Sequence, residues 1–244
     1  MPGHPTPRVL ACGDLAVSVE FGDEVSREVN ARVLALDHLI QQKALTGVTE
    51  TVPTFRALLV YYDPERVSAD ALGAALSALA QEARTDILPP ARAVEVPCCY
   101  GGELGFELDA AAAQAGLAPD EMARLHAAGD YHVYFVGFTP GLPYMTGMSE
   151  RLAIPRLVTP RTRTPPGSVG IGGGQCSIYP VESPGGFWVL GRTPLRLYDP
   201  GAADPILLRA GDRVRFRMID RPEYDAIAEA VAQGRYAPRV EVAP

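Results

Sequence analysis

Hydrophobic and polar positions follow two different patterns along this chain. Up to about residue 85 the apolar positions keep regular periods. Arg8–Cys12 and Leu15–Phe21 alternate or run apolar, and Gly13-Asp14 between them reads as a tight hairpin turn. Val25, Val29, Val33, Leu36 and Ile40 recur at steps of three and four, which predicts an amphipathic helix over 23–43, stopped by Gly47. Val48–Val52 and Arg56–Tyr62 read as strands, the second ended by Asp63-Pro64. A second helix is predicted over 68–84, with Ser68 as its cap and Leu72, Ala75, Leu76 and Leu79 as its inner face. The order β-β-α-β-β-α differs from the β-α-β-β-α-β of ferredoxin-like units, yet it still predicts a four-stranded sheet with helices on one face.

Pro89-Pro90 marks a boundary, so the chain is expected to divide into domains 1–88 and 89–244. A strand over 93–97, short helices over 109–116 and 119–128, and a strand over 131–136 open the second part. Then the pattern changes. Gly137–Gly201 holds 12 Gly and 10 Pro in 65 residues. Short apolar runs punctuate it at Ile171, Ile178-Tyr179, Phe187–Leu190 and Leu195–Tyr198. Ile206–Leu208 and Val214–Ile219 suggest a closing hairpin, and 222–233 a terminal helix. Many short strands between Gly/Pro turns predict a β-barrel or sandwich. The expected class is α+β, a small N-terminal α+β sandwich domain followed by an all-β domain.

Composition narrows the function. A chain of 244 residues with 47% hydrophobic content can bury a core without staples. No apolar run approaches a membrane span, and the Pro-rich start lacks the apolar stretch of a secretory signal, so a cytoplasmic location is expected. Cys12, Cys98, Cys99 and Cys176 show no C-x-x-C spacing, which argues against a zinc ribbon or a disulfide framework. With no clustered His and Cys, no metal site is expected. The net charge of −7 disfavours nucleic acid. Only residues 133–244 carry a basic surplus, 13 against 10 acidic.

Arg156, Arg161, Arg163, Arg192 and Arg196 all lie in the Gly/Pro-rich stretch, where guanidinium forks would suit a carboxylate or phosphate if the loops converge on one cavity. Gly170-Ile171-Gly172-Gly173-Gly174-Gln175 lacks the Lys, the Ser/Thr and the following helix of a nucleotide loop. Two readings stay open for its glycines: backbone N–H groups that hold an anionic oxygen, or a bulge or barrel corner. His126 is the one candidate general base, and no nucleophile–base arrangement can be argued from spacing. The stiff loop Gly137–Tyr144 offers Phe138, Pro140 and Tyr144 as a pocket wall or partner surface, with Tyr179 as a further aromatic.

Tyr131–Tyr144 (YHVYFVGFTPGLPY) closely resembles a segment of the family that holds KipI, allophanate hydrolase subunit 1 and the B-type subunits of 5-oxoprolinase. Thr159-Pro160-Arg161, Pro165–Gln175, Tyr179-Pro180, Ser183–Gly186 and Gly191–Pro194 continue the likeness, which spans nearly the whole chain. Leu142, Pro166, Gly172 and Cys176 stand where the family has Phe, Ala, Ala and Thr. The resemblance implies a cyclophilin-like β-barrel without prolyl isomerase activity. It implies one component of an ATP-dependent 5-oxoprolinase that works with a related cyclophilin-like subunit of the KipA type, and with a TIM-barrel-like subunit. ATP would be a co-substrate at a shared site, and the chain would be inactive alone. Arg161, Ser168, Gly172, Gly173, Gln175, Arg192 and Thr193 become the substrate-anion candidates. Relatives also imply two alternatives, a module that inhibits a sensor histidine kinase and a carboxyltransferase subunit of the allophanate hydrolase/urea carboxylase type, as in urea amidolyase. This chain has no biotin-attachment segment of its own, since Lys43 is its single lysine.

Overall fold

The computed structural model describes residues 6–242. The chain divides between Pro90 and Ala91 into two compact units, each described by itself. In the first, β1 (Arg8–Ala11) and β2 (Ala16–Glu20) form the hairpin, followed by α1 (Arg27–Lys43), β3 (Val48–Pro53), β4 (Ala57–Tyr62) and α2 (Ala69–Glu82). The antiparallel sheet runs β1-β2-β4-β3. Helix α1 starts later than its apolar period suggests, because Ser26 caps it: Ser26 Oγ accepts from Val29 N–H at 3.1 Å. Ser68 caps α2 in the same way. Val19, Leu36, Leu58 and Leu76 are fully buried in the layer between sheet and helices.

The second unit begins with β5 (Arg92–Tyr100), α3 (Leu108–Ala115) and α4 (Pro119–Ala127). It continues with β6 (Tyr131–Val136), β7 (Pro143–Thr146), β8 (Arg161–Thr164), β9 (Ser168–Gly172) and β10 (Gln175–Ile178). The last elements are β11 (Ser183–Gly185), β12 (Trp188–Arg192), β13 (Arg213–Met218), α5 (Arg221–Ala232) and β14 (Val240–Val242). Seven strands run β12-β9-β10-β7-β6-β13-β5, and β5 pairs back onto β12 through Gly191↔Tyr100 and Arg192↔Cys99, which closes a barrel. This is the mixed α+β architecture expected, with a barrel of the cyclophilin-like kind. Val94, Val133, Met145, Val169, Ile171, Ile178, Leu190 and Val214 fill its interior.

Two details depart from the sequence reading. The expected closing hairpin is absent: Leu195–Tyr198 and Ile206–Leu208 meet only at the bridge Tyr198↔Ile206, while β13 pairs parallel with β5 and antiparallel with β6. Its partners are set by barrel closure, which local patterning does not encode. In addition, β8 and β11 form a two-stranded ribbon that hydrophobicity could not mark, since RTRT and SPG carry no apolar run.

Candidate anion-binding site

Alternation along β9 and β10 sorts the candidates by face. Val169, Ile171, Cys176 and Ile178 point into the barrel core, so Ser168, Gly170, Gly172, Gln175 and Ser177 lie on the opposite face. Gln175 stands opposite Gly172, and Arg192 of β12 stands opposite Ser168. The candidates therefore fall at two ends of one ladder, four strand residues or roughly 13 Å apart.

At the glycine end the polar groups are matched. Gly173 and Gly174 have φ of +61° and +78° and form the two-residue turn between the paired Gly172 and Gln175, as a primed hairpin turn requires. The Gly173 N–H donates to Ile154 O at 2.8 Å. A Cβ on Gly172 would lie 2.9 Å from Arg156 Cγ, so the glycine lets that arginine pack down on the strand. Arg156 Nη2 in turn donates to Gln175 Oε1 at 3.0 Å, with its guanidinium 4.7 Å from the Phe187 ring centre. Gly172, Gly173 and Gln175 thus make a barrel corner under an arginine, not an anion cradle. The corner reading of the glycine run holds because the N–H at the turn is already used.

Arg161 is likewise committed. Its Nη1 donates to both oxygens of Glu107 at 2.6 and 2.7 Å, its Nη2 donates to Phe187 O, and both side chains are 17% exposed. Glu107 Oε2 also accepts from Val189 N–H at 2.7 Å. The pair ties the start of α3 to β8 and β12, and its charge is neutralised within the chain. Neither composition nor spacing marks Glu107 as the partner.

The other end is different. Pro165–Ser168 is a turn in which Gly167 takes φ +78°. A Cβ there would lie 2.4 Å from Thr193 O and 3.2 Å from Arg192 Cγ, so only glycine fits. Gly167 N–H donates to Tyr179 O (2.7 Å), Tyr179 N–H to Ser168 O (2.9 Å) and Thr193 N–H to Gly167 O (2.9 Å). The buried Thr193 hydroxyl accepts from Leu195 N–H at 3.2 Å and holds the chain after β12. Arg192 has no carboxylate within ion-pair distance among the described residues, whereas Arg163 meets Glu182 and Arg196 meets Asp199. Arg192 Nε and Ser168 Oγ are buried with no hydrogen-bond partner. Beside Arg192, burial pushes the Tyr224 hydroxyl upward in pKa while the charge of Arg192 pulls it down. Arg161, Gln175 and Arg192 therefore do not share one cavity, contrary to expectation. Arg196 stands apart from them too, lining a hollow of about 260 Å³ with Asp199 and Tyr236.

His126 cannot reach a substrate in this structure. It is fully buried between Tyr131 and Phe216, with Nδ1 2.8 Å from Tyr100 Oη and Nε2 3.4 Å from Cys176 Sγ. Burial drives its pKa from 6.5 to about 3, so it stays neutral, and burial raises the Cys176 thiol. The helix-end position that suggested a cation is overridden by desolvation. Of the aromatic candidates, Tyr144 packs against the cluster that holds Tyr179, whereas Phe138 and Pro140 are exposed. Phe138 is 67% exposed at φ +67° and Pro140 is exposed beside it. Tyr144 sits on β7, stacked on Phe135 at 4.4 Å. Tyr179 is buried against Leu142 and Phe187. Among the described residues no group of His, Cys, Asp and Glu could hold a metal ion, and no helix is long and apolar enough to cross a membrane.

Residues 7–208 match the model of the carboxyltransferase domain, subdomain C and D, and the chain belongs to that family. Within it, the chain is 39% identical to the B-type subunit of Bacillus subtilis 5-oxoprolinase, over 89% of its own length and 95% of the relative's. It is 37% identical to the corresponding 5-oxoprolinase subunit of Escherichia coli O157:H7, over 86% and 94%. Urea amidolyase of Saccharomyces cerevisiae is more distant, at 25% identity, and the chain spans only 15% of it. Among solved structures, TTHA0988 is 37% identical with a TM-score of 0.77, and the chain spans 41% of that longer chain. The conserved uncharacterized protein PH0987 of Pyrococcus horikoshii is 40% identical over its whole length, with a TM-score of 0.53. A Kluyveromyces lactis urea amidolyase structure at 21% identity shares the fold, with a TM-score of 0.82.

Proposed function

We propose that this chain is the B-type subunit of an ATP-dependent 5-oxoprolinase, which converts 5-oxoproline, ATP and water to L-glutamate, ADP and phosphate. The observation that carries the reading is the near end-to-end match to curated B-type subunits of that enzyme, at 37–39% identity over 94–95% of their lengths. The site chemistry is consistent with it. The lactam of 5-oxoproline is a poor electrophile, and phosphorylating its oxygen turns that oxygen into a leaving group. A first water can then add at the carbonyl carbon, the ring C–N bond breaks to leave an acyl phosphate, and a second water releases phosphate and the new carboxylate. Such a route calls for cations and donors around a carboxylate and a phosphate, not for a protein nucleophile.

In this reading Arg192 supplies the cation that meets the substrate carboxylate. Its guanidinium is the one among Arg156, Arg161, Arg163, Arg192 and Arg196 for which the structure gives no acceptor among the described residues. Gly170–Gly174 forms a strand and a hairpin turn, not a nucleotide loop. ATP is therefore assigned to a site completed by two companions, a related cyclophilin-like subunit and a TIM-barrel-like subunit. The test is reconstitution. The chain alone should release no phosphate from ATP with 5-oxoproline, and adding both companions should restore release. Arg192→Ala should lower kcat/KM about 100-fold, the scale of one lost charge-assisted contact, while still co-purifying with its partners. Full activity of the Arg192→Ala complex would overturn the site assignment, and a reconstituted complex inert toward 5-oxoproline would overturn the function.

A further inference from the structure

We infer that Phe138 is an anchor for a companion subunit, its ring entering an uncharged apolar pocket on that partner. The residue is an unusual choice twice over. Its φ is +67°, a region where Gly and Asn sit at little cost and a Phe is strained. Its ring is largely exposed, so packing does not offset that strain. Across it, Thr139 N–H donates to Gly137 O at 2.8 Å, which makes Gly137–Thr139 a γ-turn of the strained, positive-φ kind. A glycine would close the same turn and expose no ring. Strain and an exposed aromatic at one position point to a role in binding, not in folding.

The loop holds the ring in place. Leu142 N–H donates to Thr139 O at 3.1 Å, closing a turn with Pro140 and Gly141 (φ +81°) at its centre, in the order a type II turn favours. Gly137 N–H donates to Leu142 O at 3.0 Å and shuts the loop at its base. An anchor fixed before binding loses little freedom when it docks. The surroundings set the partner's chemistry. No Asp, Glu, Lys or Arg occurs from Val133 to Ser149, in a chain with 21% charged residues. Pro140 is exposed beside the ring. Charge depletion around an exposed aromatic is the composition of an interface core, and its complement is apolar and uncharged. The longer TTHA0988 chain carries this fold in 41% of its length, so there it is covalently joined to a stretch longer than itself. The fold therefore occurs with a companion of subunit size. Identifying that companion with the related cyclophilin-like subunit rests on the function proposed above.

The experiment measures calorimetrically how the full chain associates with the purified related subunit, beside the thermal midpoint of the chain alone. Phe138→Asn should raise that midpoint by about 2–4 °C, since Asn tolerates the turn and no packing is lost. It should also weaken association about 30-fold, the loss expected at an aromatic hot spot. Phe138→Ala should weaken association to the same degree. Val158→Ala, at another bare apolar side chain, should leave association within about twofold of wild type. Wild-type affinity in Phe138→Asn, or a lowered free-chain midpoint, overturns the anchor, because the ring would then serve the fold. Equal weakening by Val158→Ala overturns it too, since the effect would not belong to the position of the ring. A loss of affinity confined to the TIM-barrel-like subunit, or no association of the wild-type pair, overturns the choice of occupant. Normal assembly and 5-oxoproline hydrolysis by the Phe138→Asn complex sinks the anchor and leaves the proposed enzyme intact. The expected affinity losses in a complex inert toward 5-oxoproline do the reverse.

Discussion

The two ends of the β9–β12 ladder are built from the same kinds of residue, glycines and arginines, and they are opposite in character. At the Gly172–Gln175 end, the turn N–H is bonded and Arg156 is laid across Gln175 and Phe187. Nearby, Arg161 is neutralised by Glu107. At the Ser168–Arg192 end, a guanidinium and a hydroxyl are buried without partners. The first end uses its polar groups to hold the fold, while the second keeps them uncommitted. An arginine near glycines is therefore informative only once its acceptors are known.

That contrast can be broken most forcefully at Glu107. Glu107→Ala strands Arg161 and the Val189 N–H in a site where both partners are 17% exposed, and it should cost about 3 kcal/mol, read as a lower urea midpoint. A smaller cost, near that of an exposed pair, would mean the two ends are more alike than they look. Next comes the barrel interior that both ends share. His126 binds a proton more weakly folded (about 3) than unfolded (6.5), so protons favour the unfolded chain. Its contribution is complete above pH 6.5 and is lost as the pH falls toward 3, at up to about 1.4 kcal/mol per pH unit. In stability measured from pH 7 to 4, His126→Gln should flatten this acid slope.

Gly170→Ala probes the close packing directly. Its Cβ would stand 3.1 Å from both Phe187 Cβ and Trp188 O. Overpacking of this kind should lower stability by about 1–3 kcal/mol, visible in a thermal melt. The smallest effect is expected at Arg192. Arg192→Ala removes a buried donor that has no partner, so chemical denaturation should shift by no more than about 0.5 kcal/mol. A loss comparable to that of Glu107→Ala would show that this end, too, is committed to structure.

Much of this was legible beforehand. The stripe Val29–Val33–Leu36–Ile40, at steps of three and four, and the alternating strands of the first unit sufficed for its sheet and helices, because each element is amphipathic on its own. The barrel could be named through its motif, but its ribbon β8–β11 and the parallel β13–β5 pair could not be read. The first has no apolar signal and the second joins residues far apart in sequence. The site was half legible. Arg192 and Ser168 were identified with the family motif, but so were Arg161 and Gln175, and only coordinates reveal Glu107 and Arg156 beside them.

The parallel pairing of β5 with β13 has a consequence for how the molecule is made. Arg92–Tyr100 leaves the ribosome early, yet its long-range partner Arg213–Met218 follows more than a hundred residues later. The closure of such distant segments is slow, and the waiting strand offers open backbone groups to any neighbour. Nascent chains stalled before Arg213 should therefore depend on chaperones, with the first unit already folded and the second still open at its seam.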